Sequence, residues 1–183
     1  MLRHIPNLLT LSRLILVPVV LRAIWVQDFG WALLWSAIAG VTDALDGFLA
    51  RRLHAPSRIG AYLDPVADKL LLSGSYLVFG LRGLIPLWIT AIVFGRDLLI
   101  LTFAGLAFLF TNSRDFPPTI WGKLSTIIQI GTVLTVLVSG LLQWGRPLVF
   151  FALACVVVAT SWSAVHYMYL GVRIFRGGRE QRL

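Results

Sequence analysis

One cysteine and eight acidic residues are the scarcities that frame this chain of 183 residues. A lone Cys155 forms no internal disulfide, and its apolar neighbours Leu153, Ala154, Val156 and Val157 mark it as a packing residue. Charged residues make up 13% of the chain, about half of the ~25% usual in soluble domains. So little charge excludes disorder, a water-soluble globule with a charged shell and a soluble nucleic-acid-binding domain. Apolar residues are what is abundant. They reach 58%, with 12% aromatics and a mean hydropathy of +0.84, so the chain reads as one membrane domain over residues 1–183. Its net charge of +8 then reflects topology and contact with anionic lipid headgroups, with no nucleic-acid partner.

Six apolar runs each suit a membrane helix: Leu8–Val26, Trp31–Ala50, Gly60–Phe79, Ile85–Phe110, Trp121–Leu142 and Leu148–Leu170. They are too long for barrel strands and do not alternate. Turn-forming residues separate them, among them Gln27-Asp28-Phe29-Gly30, His54-Ala55-Pro56-Ser57 and Gly145-Arg146-Pro147. The expected fold class is therefore all-α, a polytopic bundle of six transmembrane helices. With the N-terminus inside, Arg3, Arg51, Arg52, Arg58, Arg114, Arg173, Arg176, Arg179 and Arg182 lie inside, and only Arg82 and Arg146 outside. That bias puts both termini in the cytoplasm.

The acids carry the chemistry. Asp43, Asp46, Asp64, Asp68 and Asp97 fall inside apolar runs, where a charged Asp costs roughly 2.5–3.5 kcal/mol at a helix centre. Asp43 and Asp46 are three apart near the cytoplasmic end of the second run. Asp64 and Asp68 are four apart at the start of the third. Each pair shares a helix face, and a short connection makes the two helices antiparallel neighbours, so four carboxylates converge at one depth. Converging carboxylates need protons or cations. An all-oxygen donor set suits Mg2+ or Mn2+ rather than Zn2+. Gly47, Ala50 and Gly60 each lie one turn from an Asp, leaving room for a ligand or for close helix packing. Arg51 is placed for a phosphate.

Together these residues read D-A-L-D-G-F-L-A-R, eight residues, then G-A-Y-L-D-P-V-A-D. This resembles the signature D-x2-D-G-x2-A-R-x8-G-x3-D-x3-D of the CDP-alcohol phosphatidyltransferases at every fixed position and gap. The opening Pro6-Asn7-Leu8-Leu9-Thr10-Leu11-Ser12-Arg13 also resembles the family's first helix, so the likeness covers the whole chain. The resemblance implies that CDP-diacylglycerol gives its phosphatidyl group to an alcohol and that CMP leaves. It implies two divalent ions, Mg2+ or Mn2+, held by Asp43, Asp46, Asp64 and Asp68, with Asp68 as the general base. It implies a CDP-diacylglycerol site formed by Gly47, Ala50, Arg51, Ser57 and Gly60, with Thr42, Asn7, Thr10 and Arg13 reaching the nucleotide and its phosphates. A homodimer in the bacterial inner (plasma) membrane, its active site facing the cytoplasm, is the expected setting.

The acceptor is expected to bear a phosphate, held by Arg96 and Lys123. A direct pair between Arg96 and Asp97 is not expected, because adjacent helical residues do not face each other. Family members that use glycerol 3-phosphate usually show A-R-E, a further Arg beyond it, and G-K-x-K-T. Here the chain has G-R-D without that further Arg, and G-K-L-S-T. The R-D pair and P-T-I-W-G-K-L-S-T also resemble the members that convert phosphatidylglycerol to cardiolipin. Glycerol 3-phosphate is the first expectation and phosphatidylglycerol the alternative. A cation-coupled transporter and an intramembrane prenyltransferase also place acids in spans, but would not crowd both acidic pairs into residues 43–68.

Overall fold

The computed structural model describes the backbone over residues 5–53, 58–110 and 119–180, and side chains over 14–45, 67–103 and 119–171. Among the described residues the chain is all helical and has no strand. Its helices are α1 (Ile5–Trp25), α2 (Phe29–Leu53), α3 (Arg58–Leu81), α4 (Leu87–Phe110), α5 (Ile120–Leu142) and α6 (Arg146–Glu180). Each of the six apolar runs lies on its own helix. The largest difference is at the end of α6, which continues ten residues beyond the last apolar run. The helix hydrogen-bond ladder does not stop where the side chains turn from apolar to basic.

The helix ends show why the chain turns where it does. Asp28 caps α2, its Oδ1 accepting from the Trp31 amide at 3.2 Å, so α2 starts ahead of the apolar run. Gln27 takes a left-handed conformation in that turn (φ 60°). Between α3 and α4, Gly83 has φ 70°, where an added Cβ would be strained. Thr119 caps α5 by accepting from the Gly122 amide at 3.1 Å.

α1 packs on α2 and α3, α3 on α4, and α4 on α6, while α5 lies against α6, α2 and α3. Val20, Ile24, Tyr76, Phe79, Val93, Leu137 and Val156 form the middle of the core. Close approach of α5 to the start of α2 depends on Gly140, where a Cβ would stand 2.7 Å from the Phe29 ring.

The distribution of polarity is inverted relative to a water-soluble bundle. Ile15, Leu98, Leu101, Phe150 and Phe151 face outward, while Ser75, Thr90, Gln129, Thr132, Thr160 and Ser163 are buried. Buried hydroxyls bond across helices. Thr90 Oγ1 donates to the Tyr76 carbonyl at 3.0 Å, Tyr76 OH to the Gln129 carbonyl at 3.2 Å, and Gln129 Nε2 to Thr160 Oγ1 at 3.3 Å. In hydrocarbon such contacts, rather than exclusion of water, hold helices together. Among the described residues, α5 and the stretch Arg146–Gly171 of α6 are long and apolar enough to cross a membrane.

Candidate active site

Asp43 and Asp68 line one cavity of about 420 Å³ between α2, α3 and α5. Helical spacing builds each wall. α2 contributes Ser36, Ala39, Gly40 and Asp43, α3 contributes Asp68, Lys69, Leu71, Leu72 and Ser75, and α5 contributes Thr126, Ile130, Val133 and Leu134. Asp43, Asp68, Lys69 and Thr126 are joined in this lining by Ser36 and Ser75, two turns away along α2 and α3. Further along, the α3 and α5 walls are mostly apolar. A mostly apolar lining that carries two carboxylates and an ammonium suits a lipid whose headgroup reacts while its tails stay in hydrocarbon.

The expected convergence of α2 and α3 acids is therefore present for the described pair, Asp43 and Asp68. Two carboxylates are hard oxygen donors of the kind a divalent cation takes, and among the described residues no group of three or more His, Cys, Asp or Glu comes together. The other expected ligands and CDP-site residues, Asp46, Asp64, Asn7, Thr10, Arg13, Gly47, Ala50, Arg51, Ser57 and Gly60, have side chains outside the described residues. Thr42 is half-buried beside Asp43, and its hydroxyl donates to the carbonyls of Ile38 at 2.9 Å and Ala39 at 2.8 Å.

The two residues expected to grip the acceptor do not line this cavity. Arg96 is 5% exposed. Its Nη1 donates to Asp97 Oδ1 at 2.8 Å, Nη2 to the Gly122 carbonyl at 3.2 Å and to Ser163 Oγ at 3.1 Å, and Nε to Ser163 Oγ at 3.3 Å. The direct Arg96–Asp97 pair thus forms despite their adjacency, because the long guanidinium stem reaches round the helix. The guanidinium also lies 5.8 Å from the centre of the Tyr167 ring. Gly122 makes room for that ring, since a Cβ there would meet the Tyr167 hydroxyl at 2.6 Å. Lys123 is exposed, one turn before the cavity-lining Thr126 and on the same side of α5.

One cavity residue escaped the sequence reading. Lys69 Nζ contacts Asp97 Oδ1 at 2.6 Å, while Ser73 Oγ donates to Asp97 Oδ2 at 3.3 Å. The available signal was that Lys69 is one of two lysines in the chain and directly follows Asp68 within an apolar run.

The sequence profile of the CDP-alcohol phosphatidyltransferases matches residues 3–169. The chain belongs to this family. It resembles a cardiolipin synthase (CMP-forming) of Streptomyces coelicolor, at 32% identity over 92% of this chain and 79% of that protein. It resembles a rat protein of the same name at 30% identity, over 94% of this chain and 64% of that protein. The CDP-diacylglycerol–glycerol-3-phosphate 3-phosphatidyltransferase of Aquifex aeolicus is 36% identical over 73% of this chain and 75% of that protein. No solved structure matches significantly. The family expectation drawn from residues 43–68, and with it the phosphatidyltransferase class of enzyme, is borne out. Family membership and the two apolar helices make this an integral membrane protein.

Proposed function

We propose that this chain transfers the phosphatidyl group of CDP-diacylglycerol to the hydroxyl of a phosphate-bearing alcohol, releasing CMP. The observation that carries this reading is that Asp43 and Asp68 line one cavity together, in a mostly apolar setting. In the proposed arrangement six helices span the membrane, both termini are cytoplasmic, and the cavity mouth opens to the cytoplasm, in bacteria from the inner membrane. The protein works as a homodimer. Asp43, Asp46, Asp64 and Asp68 would hold two divalent ions, Mg2+ or Mn2+. Bound there, such ions supply positive charge that offsets the carboxylates and the phosphate oxygens.

The remaining work falls to the chain itself. Gly47, Ala50, Arg51, Ser57 and Gly60, with Asn7, Thr10, Arg13 and Thr42, bind the CDP moiety and orient its pyrophosphate. Asp68 accepts the proton of the acceptor hydroxyl as the oxygen attacks the lipid-bearing phosphorus. The new P–O bond forms there, the bridging P–O bond to CMP breaks, and CMP leaves as an anion. Reaction of this kind depends chiefly on in-line positioning and charge stabilisation. Apolar walls keep the acyl chains out of the aqueous mouth.

Glycerol 3-phosphate is the first acceptor in this reading, with Lys123 at the mouth of the cavity. A specific observation favours phosphatidylglycerol as the second. The Arg96 guanidinium is engaged inside the bundle, and a site with one cation fewer suits the monoanionic phosphodiester of a lipid better than a dianionic phosphate. The test uses purified protein, CDP-diacylglycerol vesicles with Mg2+, and each acceptor in turn, with the lipid product identified by mass. Phosphatidylglycerophosphate supports the first acceptor and cardiolipin the second. Release of CMP with neither, or full activity in excess chelator, rejects the mechanism.

A further inference from the structure

The strongest unassigned feature is the buried chain of charge behind the cavity. Lys69, Asp97 and Arg96 come from α3 and α4, and Arg96 continues the chain to Gly122 on α5 and Ser163 on α6. Two cations face one carboxylate, so the group carries a net single positive charge. Asp97 is 9% exposed and Arg96 5%, whereas the Lys69 side chain is 44% exposed and lines the cavity with Asp43 and Asp68. Lys69 is thus the member of this group that reaches the cavity. An ammonium has three donors, and Asp97 engages one of them. A flexible lysine stem is ordinarily costly to hold in place. Here Asp97 holds it, and Asp97 is itself held by Arg96 and Ser73.

We propose that Lys69 is the cavity's contact for the phosphate of the alcohol acceptor, and that Asp97 is its positioning residue, with Arg96 as the buried cation that holds Asp97 in place. This rests on the proposed phosphatidyl transfer and adds the specificity determinant that the sequence pattern assigned to Arg96. The recognised chemistry is a phosphate ester beside a free hydroxyl. A soluble phosphomonoester and a lipid phosphodiester both present it, and the two arms of the test separate them.

The experiment measures initial rates in vesicles at saturating CDP-diacylglycerol, varying either soluble glycerol 3-phosphate or the mole fraction of phosphatidylglycerol. Lys69→Met removes the charge and keeps most of the stem. It should raise the KM of whichever acceptor the wild type uses by about ten- to a hundredfold, the loss expected for a charged hydrogen bond. The CDP-diacylglycerol KM and the Mg2+ dependence should stay within about twofold of wild type, well below that loss. Lys69→Arg should recover a large part of the loss. Asp97→Asn should raise the same KM by a smaller factor, about three- to tenfold, and add little in the Lys69→Met background, as coupled residues do. A purely structural Asp97 would lower kcat or stability and leave the acceptor KM unchanged, and that result overturns its role. An unchanged acceptor KM in Lys69→Met, or a rise confined to CDP-diacylglycerol or Mg2+, overturns the role of Lys69 while the transfer reaction stands. A wild type that releases CMP with neither acceptor overturns both readings.

Discussion

Two pairs of ionisable residues sit in the apolar body of this protein and do opposite things. Asp43 and Asp68 line a cavity. Arg96 and Asp97 are closed in, bonded to each other and to three further helices. In sequence they look alike, as charges interrupting hydrophobic runs, and each reads as functional on the cost of burying charge. The structure separates a pair that lines a cavity from a pair bonded inside the bundle. Lys69 is the joint between them, since it touches Asp97 and faces the acids' cavity.

Substitution at the open pair should give the largest loss of activity and the smallest loss of fold. Asp68→Asn is expected to lower kcat by about 10²–10⁴-fold, as for removal of a general base. Asp43→Asn should lower it at least as far, with the unfolding midpoint of both variants close to wild type. A large fall in thermal stability would place Asp43 and Asp68 with the closed pair instead.

At the closed pair the order should reverse. Arg96→Ala leaves Asp97 buried with Lys69 as its remaining cation, and Asp97→Ala leaves the Arg96 guanidinium buried without a carboxylate. Breaking a buried pair from one side costs about 3–5 kcal/mol. The measurement is denaturant-dependent unfolding in detergent micelles. A stable Arg96→Ala protein whose only defect is acceptor binding would return Arg96 to the acceptor site.

A smaller effect should follow from disturbing the support of the closed pair. Gly122→Ala places a methyl group against the Tyr167 ring, whose hydroxyl accepts from the Thr119 amide at 3.1 Å. Overpacking of this kind costs about 1–3 kcal/mol, read as a lowered unfolding midpoint with acceptor KM close to wild type. A selective change in acceptor KM would instead tie this corner directly to the ligand.

Much of the fold was legible because long apolar runs and turn-forming residues mark helices regardless of what packs against them. Asp28 shows the limit at the ends. It reads as part of a turn, but whether its carboxylate caps α2 depends on the exact rotation of the chain there. Of the site, Asp43 and Asp68 were legible because helical spacing fixes which side chains share a face. Ser125 was not. It stands where a second cation was expected, yet it is fully buried, its Oγ 3.4 Å from Thr160 on α6. Lys69 was missed because its neighbour Asp68 drew the chemistry, and nothing local says that Asp97, 28 residues away, would hold it.

By itself the sequence determined a helical membrane chain and its family. Composition, period and motif spacing are properties of one chain segment at a time. Tertiary structure alone decided which charges meet. Arg96 turns inward because Ser163 on α6 and the Gly122 carbonyl on α5 lie within its reach. Lys69 reaches the cavity because α3 packs on α4 with Asp97 at the same level. A charge in an apolar setting is satisfied only by partners close enough to bond it, and packing brings those partners from helices far apart in the chain.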